Sequence, residues 1–380
     1  MNSISKYNQD SQNILLLTVN FPYGNTESFL SNELKCLSKK GSKISIYAHS
    51  SKGKSRYLPH GIKVVNISTI KKTLLLIFGT LYAFLKYSPY YFSDLISEIR
   101  EERRNILKFS RYAYIINYFL RSSYFIAWFD LLCSKNKKDL IIYSYWMNAE
   151  SYAMSILKRS CPELKVISRV HGGDLYSERN SGYLPFRNLI IDKLDRIFTI
   201  SNHGKSYLLS KYIITDPNKI ILSRLGVPKQ KRISNILNRK EIVVASCSSD
   251  EPIKRVEKIL LLLGDLSISL NKKISWIHVG IESKAFMKKY LKKLNSYRKL
   301  SLILPGVVPN NEISNIYKNY EPDFFINLSS TEGVPVSIME ALSFGIPVIA
   351  TDVGGTSEIT NDSVGAIIDS DLDFNWTINE

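Results

Sequence analysis

Cysteine is scarce in this 380-residue chain: Cys36, Cys133, Cys161 and Cys247 are scattered and form no CxxC pair. That spacing excludes a zinc ribbon and a disulfide framework, and the four read as free thiols in a reducing cytoplasm. No run reaches the roughly 18 uncharged apolar residues of a membrane-spanning helix. The nearest, TLLLIFGTLYAFL (residues 73–85), is too short and is bracketed by lysines. The opening MNSISKYNQDSQN has no apolar core, so no signal peptide is expected. Zinc-finger spacing, an RNP motif and a dense basic helix are all missing, which argues against a nucleic-acid reader despite a formal charge of +17. No Asp-x-Asp pair stands at a convincing strand end, and there is no short repeat or low-complexity tract.

What is present describes a folded protein. Hydrophobic residues make 44% of the chain and charged residues 22%, the balance of a globular fold. The length exceeds one ordinary core, so two domains are expected. Charge is unevenly spread: residues 1–300 carry 50 Lys and Arg against 22 Asp and Glu, whereas residues 301–380 carry 1 against 12. A basic body suits an anionic partner such as nucleic acid, a membrane surface or a phosphate-bearing substrate, or it serves solubility alone.

Short β-branched runs recur at 14–19, 43–48, 140–145, 165–170 and 196–201, and again at 241–247, 274–280, 301–306, 324–329 and 347–352. Stretches of helical period separate them, as in SFLSNELKCLSKKG (28–41) with its terminal glycine stop. This alternation predicts α/β architecture with parallel sheets covered on both faces. Ten strands are too many for one doubly wound sheet, so two similar domains are expected: residues 1–226 and 241–380, joined by a polar, basic linker at 227–240. Residues 71–135, rich in Tyr, Phe, Lys and Arg, break the rhythm of the first domain.

Open α/β sheets bind ligands beyond the carboxyl ends of their strands. FFINLSSTEGVPVSIMEALSFG reads as a strand, a small polar loop holding Glu332, and a helix from Pro335 to a stop at Gly345. The free amides around Gly333, Val334, Pro335, Val336 and Ser337 would form an anion site aided by the helix dipole. Two acids flanking a phosphate site suit a nucleotide-sugar, one gripping hydroxyls on each side of the phosphates. Read without further context, Glu340 is equally a solvated helix residue and Glu332 a partner of the helix dipole.

The segment EGVPVSIMEALSFGIPVIATDVGG resembles the C-terminal signature of the retaining GT-B glycosyltransferases known as family 4 or glycosyl transferases group 1, with their Glu, seven residues, Glu pattern. The resemblance implies two Rossmann-like domains facing a cleft. It also implies Glu332 on the donor sugar, Glu340 on the ribose and loop amides on the diphosphate. In ISRVHGGDLY it places His171, with Asp174 beside it, near the reaction centre from the first domain. FPYGNTESFLSNELKC resembles the family's first strand end and glycine turn, with Gly24 alone where many members have a glycine pair. In SCSSDEPIKRVEKI, Lys254 falls on the diphosphate lysine, while Ser249 stands at the family's arginine, leaving Arg255 to supply that charge. The bland reading of Lys254 and Arg255 is an exposed pair at a helix start. LPGVVPNNEISNIYK resembles the loop that cradles the base, marking Gly306 to Val308.

The implied activity is transfer of a sugar from a nucleotide-sugar donor to a glycan or polyprenyl-linked acceptor, with retention, in bacterial capsule, lipopolysaccharide or exopolysaccharide synthesis. No metal and no cofactor are expected, because Lys254 and the helix amides would stabilise the leaving diphosphate. The protein is expected to be cytoplasmic, held at the inner face of the membrane by residues 71–135, where lysines flank aromatic and aliphatic residues; the same stretch reads equally as a buried helix. Two rival readings are a GT-B-like binder of nucleotide-sugars without turnover and a basic nucleic-acid-binding protein. After the expected last strand, 365–369, only LDFNWTINE follows, so the family's C-terminal crossover helices are expected to be missing, with looser closure and lower activity.

Overall fold

The computed structural model describes residues 12–24, 26–65, 69–101, 109–132, 139–232 and 240–370. The chain divides into two compact units, Met1–Arg224 and Leu225–Glu380. In the expected linker, residues 227–232 and 240 form neither helix nor strand, and 233–239 lie outside the described residues. So do Cys133 and the C-terminal residues 371–380, on which the crossover expectation rests; Cys36, Cys161 and Cys247 are unbridged thiols.

The first unit is built on seven strands: β1 (Asn13–Thr18), β2 (Lys43–Ala48), β3 (Ile62–Val64), β4 (Leu140–Ser144), β5 (Lys165–Val170), β6 (Arg196–Thr199) and β7 (Ile220–Leu222). All pairings are parallel and the order is β3-β2-β1-β4-β5-β6-β7. Strand β1, NILLLT, is buried at every position after the first, as a strand covered on both faces requires. The chain moves outward from β1 in one direction and from β4 in the other. The switch point, where ligands of open sheets bind, therefore falls between β1 and β4.

The second unit repeats the plan with β8 (Glu241–Cys247), β9 (Lys273–Val279), β10 (Leu300–Gly306), β11 (Phe324–Asn327), β12 (Val348–Thr351) and β13 (Gly365–Ile368), ordered β10-β9-β8-β11-β12-β13. Its switch point lies between β8 and β11. The ten runs legible in the sequence are all strands, and β13 falls where a last strand was expected. Strands β3 and β7 escaped notice because three residues carry no alternation; their pairing with β2 and β6 creates them.

The described residues of 71–135 pack one face into the core of the first unit. The described part is helical: Thr69–Leu74, a π turn at Leu75–Gly79, Thr80–Lys86, Ser88–Glu101 and Phe109–Leu132. Phe125, Ile126, Trp128 and Phe129 are buried with Tyr47 and Tyr152. Asp94 clamps the segment to helix Ala149–Ser160: both its oxygens accept from Arg159, at 2.8 and 2.7 Å, and Tyr152 Oη donates at 2.9 Å. The opposite face stays in water, with Leu76, Ile77, Leu81, Ile116 and Leu120 each more than half exposed. Among the described residues no helix is long and apolar enough to cross a membrane.

Candidate active site

In the second unit the chemistry gathers at the ends of β8 and β11. Glu332 lies in the loop after β11 and is buried. Its Oε1 accepts from Lys254 Nζ at 2.6 Å and from Ser329 Oγ at 2.7 Å. Lys254 ends a 3-10 turn after β8, and that turn is tied to the Glu332 loop by Ser330 N–H donating to the Ile253 carbonyl at 2.8 Å. The loop is backed by Gly354, whose positive φ of 58° and lack of Cβ let the Glu332 carbonyl pass against it. This explains the first glycine of VGG.

The helix that follows runs Val336–Ser343 and closes on Gly345 at φ 75°. Pro335 precedes it and no side chain caps it, so Gly333, Val334, Pro335 and Val336 form an uncapped helix start beside Glu332. Glu340 is half-buried on this helix, and its Oε1 accepts from Asn310 Nδ2 at 2.7 Å. Asn310 opens the helix after the Gly306–Val308 loop, so that loop and Glu340 share one end of the sheet. Gly306 has φ 84°, and Val308 packs on the core. Burial pushes the Glu340 carboxyl up, opposed by the Asn310 bond. Burial and then the Glu340 charge raise the Cys247 thiol, at the end of β8, to about 12.

Lys254 and Arg255 part company. Arg255 takes a left-handed φ of 49°, and its guanidinium donates to the Ser370 carbonyl at 2.8 Å. Ser249 Oγ donates to Glu251 Oε1 at 3.2 Å. Of these, only Lys254 meets Glu332.

In the first unit the end of β5 carries His171. It is buried, and neither ring nitrogen has a hydrogen-bond partner in the protein. Its ring lies among Phe29, Tyr145 and Trp146, with centroids 5.4, 5.0 and 4.5 Å away. Burial, and secondly the Arg169 charge, hold its pKa well below the ordinary histidine value, so the imidazole is neutral. Asp174 turns to the backbone: its oxygens accept from the N–H of His171 and of Met147, both at 2.6 Å. Burial, opposed by Arg187 and these N–H groups, raises its pKa to about 6. Arg187 closes the clasp by donating to the carbonyls of Met147 and Asp174 at 2.7 and 2.8 Å. Asp174 therefore holds the β4 and β5 loops together and sets the position of His171.

Gly24, at φ 64°, lies in the turn after β1. Glu27 organises that turn by accepting from the N–H of Val19, Asn20 and Phe21 at 3.1, 2.8 and 2.7 Å, and from Trp146 Nε1 at 2.6 Å. Glu27, Trp146, Arg187, Ser329 and Asn310 were not singled out from the sequence. Trp146, Arg187 and Asn310 act on partners remote in the chain, whereas Ser329 reaches Glu332 three residues on; Glu27, Ser329 and Asn310 lie inside the quoted motifs, which is the signal that could have found them.

Residues 228–379 match the family glycosyl transferases group 1. The chain is 28% identical over 263 residues to the O-antigen biosynthesis glycosyltransferase WbnH of Escherichia coli, covering 64% of this chain and 70% of that protein. Among solved structures, the lipopolysaccharide outer core galactosyltransferase WaaB superposes with a TM-score of 0.60 at 15% identity, over 95% of this chain and 87% of that one. HepE of Anabaena, in complex with UDP and glucose, superposes at 0.53 with 13% identity, over 94% and 86%. Residues 228–379 thus match the glycosyl transferases group 1 model, and the two parallel sheets share the fold of solved GT-B glycosyltransferases.

Proposed function

We propose that this protein is a glycosyltransferase that moves a sugar from a nucleoside diphosphate to a glycan or polyprenyl-linked acceptor in the synthesis of a bacterial surface polysaccharide. The observation that carries it is the Lys254–Glu332 pair beside the uncapped start of helix Val336–Ser343, at the β8/β11 switch point. The diphosphate would lie on the helix amides and Lys254, the ribose against Glu340, and the base near Gly306 and Val308. As the glycosidic bond breaks, the bonding pair leaves with the diphosphate, and these groups stabilise the negative charge that develops there. This is the service a metal ion performs in other transferases, and we take the reaction to be metal-independent and retaining. From the first unit, His171 would serve the donor sugar as a neutral hydrogen-bonding group, its ring set by Asp174 and the aromatic cage.

WbnH acts in O-antigen biosynthesis and HepE holds UDP with glucose, which supports a uridine-linked donor and a surface-glycan product. Site of action follows from the product: the inner face of the cell membrane. Incubating the protein with UDP-, GDP- and ADP-sugars and a crude lipid-linked glycan fraction tests the reading. One donor should release its nucleoside diphosphate with label appearing in the glycan. Binding of a donor with no release would leave a nucleotide-sugar-binding protein.

A further inference from the structure

From Val19 to Gly24, the turn after β1 engages every backbone N–H within the first unit. Val19, Asn20 and Phe21 donate to the Glu27 carboxylate. Tyr23 donates to the Asn20 carbonyl at 2.8 Å and Gly24 to the Lys54 carbonyl at 3.1 Å, while Pro22 has no N–H to offer. Arg56 closes the turn from outside by donating to the carbonyls of Gly24, at 2.7 Å, and of Thr26. A phosphate therefore finds no free amide in this stretch, although it lies at one side of the β1/β4 switch point. The turn is built to hold something else in place.

Glu27 is closed to ligands as well. It is 6% exposed, and four N–H groups fill its two oxygens, the fourth being Trp146 Nε1 at 2.6 Å. Its backbone takes a left-handed φ of 54° to meet them, which costs energy in a residue with a side chain. The carboxylate so placed joins the turn after β1 to the loop after β4, 119 positions along the chain. What it fixes there is one wall of the His171 cage. The Trp146 ring lies 4.5 Å from the imidazole, nearer than Tyr145 or Phe29. Those two are held separately, Tyr145 by donating to Glu33 at 3.0 Å and Phe29 at the start of the helix that carries Glu33. Neither ring nitrogen of His171 has a partner in the protein, so packing against these rings, and no hydrogen bond, orients the imidazole.

From this geometry we infer that Glu27 is a positioning residue for His171. It touches neither donor nor acceptor: the carboxylate fixes the indole of Trp146, and the indole fixes the imidazole. The inference rests on the reading of His171 as the group that meets the donor sugar, and its first test needs no donor.

Diethyl pyrocarbonate acylates accessible neutral imidazoles, and peptide mass spectrometry assigns the label to each histidine of the full chain. His60 and His203 are exposed and serve as labelled references, while buried His278 reports general unfolding. In the wild type His171 should label far more slowly than either reference. Glu27→Gln turns an amide NH2 towards N–H donors, and Trp146→Phe keeps a ring but removes the indole N–H. Each should speed labelling of His171 at least about tenfold, the factor that a charge-assisted hydrogen bond is worth. The double variant should add little to either single one, because both break the same contact. With the nucleotide-sugar that releases its diphosphate, kcat should fall up to about a hundredfold in each variant, as displacement of a reacting group does, with KM unchanged. Faster labelling in Glu27→Gln but not in Trp146→Phe would mean that the carboxylate serves only its own turn, and overturns the proposal. So does a fully additive double variant, and so does His278 labelling that rises together with His171. Labelling as expected with no donor turned over would support the positioning role and remove the transferase reading.

Discussion

At the residue scale the site turns on one buried carboxylate. Glu332 has Lys254 and Ser329 on a single oxygen, which leaves the other for a ligand. Glu332→Gln keeps the shape but removes the charge, and a charge-assisted hydrogen bond is worth about 1.5–3 kcal/mol. Turnover should fall at least about tenfold on that scale while nucleoside diphosphate still binds; initial rates and calorimetry on the same preparation check both halves. Lys254→Ala should weaken nucleoside diphosphate far more than the nucleoside, and Arg255→Ala should do little, because Arg255 faces Ser370. Titrating each variant with the two ligands measures the difference. A separate residue governs acid stability of the second unit. His278 is buried, its Nδ1 is 2.7 Å from Ser246 Oγ, and burial lowers its pKa to about 4. The unfolded chain then takes up a proton near pH 6.5 that the folded unit refuses until about 4. The stabilisation is complete above 6.5 and drains away as pH falls through that window, by about 3 kcal/mol at most. Denaturant midpoints from pH 7 to 4 should fall for the wild type and fall less for His278→Gln.

At the element scale, the Glu332 loop is shaped from behind. Strand β12 ends at Thr351, and the turn after it brings Gly354 against the Glu332 carbonyl, with Gly355 N–H donating to the Gly333 carbonyl at 2.8 Å. A methyl group on Gly354 would both collide with that carbonyl and sit at an unfavourable positive φ. Gly354→Ala should cost roughly 1–3 kcal/mol, the usual cost of such strain, and should lower turnover by displacing Glu332. Thermal melts alongside rates test it, and an unchanged melt would mean that the turn moves freely. The helices of residues 69–132 illustrate a different point. One face is core, clamped by Asp94 and Arg159, and the other is aliphatic and wet, so the buried-helix and surface-segment readings of this stretch each describe one of its faces.

At the scale of the whole molecule, the excess of basic residues in 1–300 and the exposed aliphatic face in the same part of the chain point one way. The protein should pellet with anionic vesicles and not with neutral ones, and raising salt should release it, because exposed charges are screened within about 8 Å at physiological ionic strength. Flotation assays with the two lipid compositions decide it. Equal recovery in the supernatant with both compositions would remove membrane association while leaving the enzyme reading untouched.

The chain's own pattern determined the two parallel sheets, the helix after Glu332 and the spacing that carries Glu332 and Glu340 to one end of it. Those are local properties: runs of buried residues, a proline before a helix, a glycine after it. Tertiary structure decided the rest. Lys254 meets Glu332 across 78 positions and Asn310 meets Glu340 across 30, distances over which no periodicity reports. That Lys254 and not Arg255 faces the acid depends on the left-handed turn at Arg255. That Asp174 serves the backbone depends on β4 lying beside β5, which brings Met147 within reach. The exposed aliphatic face arises because Leu76, Ile77, Leu81, Ile116 and Leu120 come from helices that pack side by side with these side chains turned to solvent.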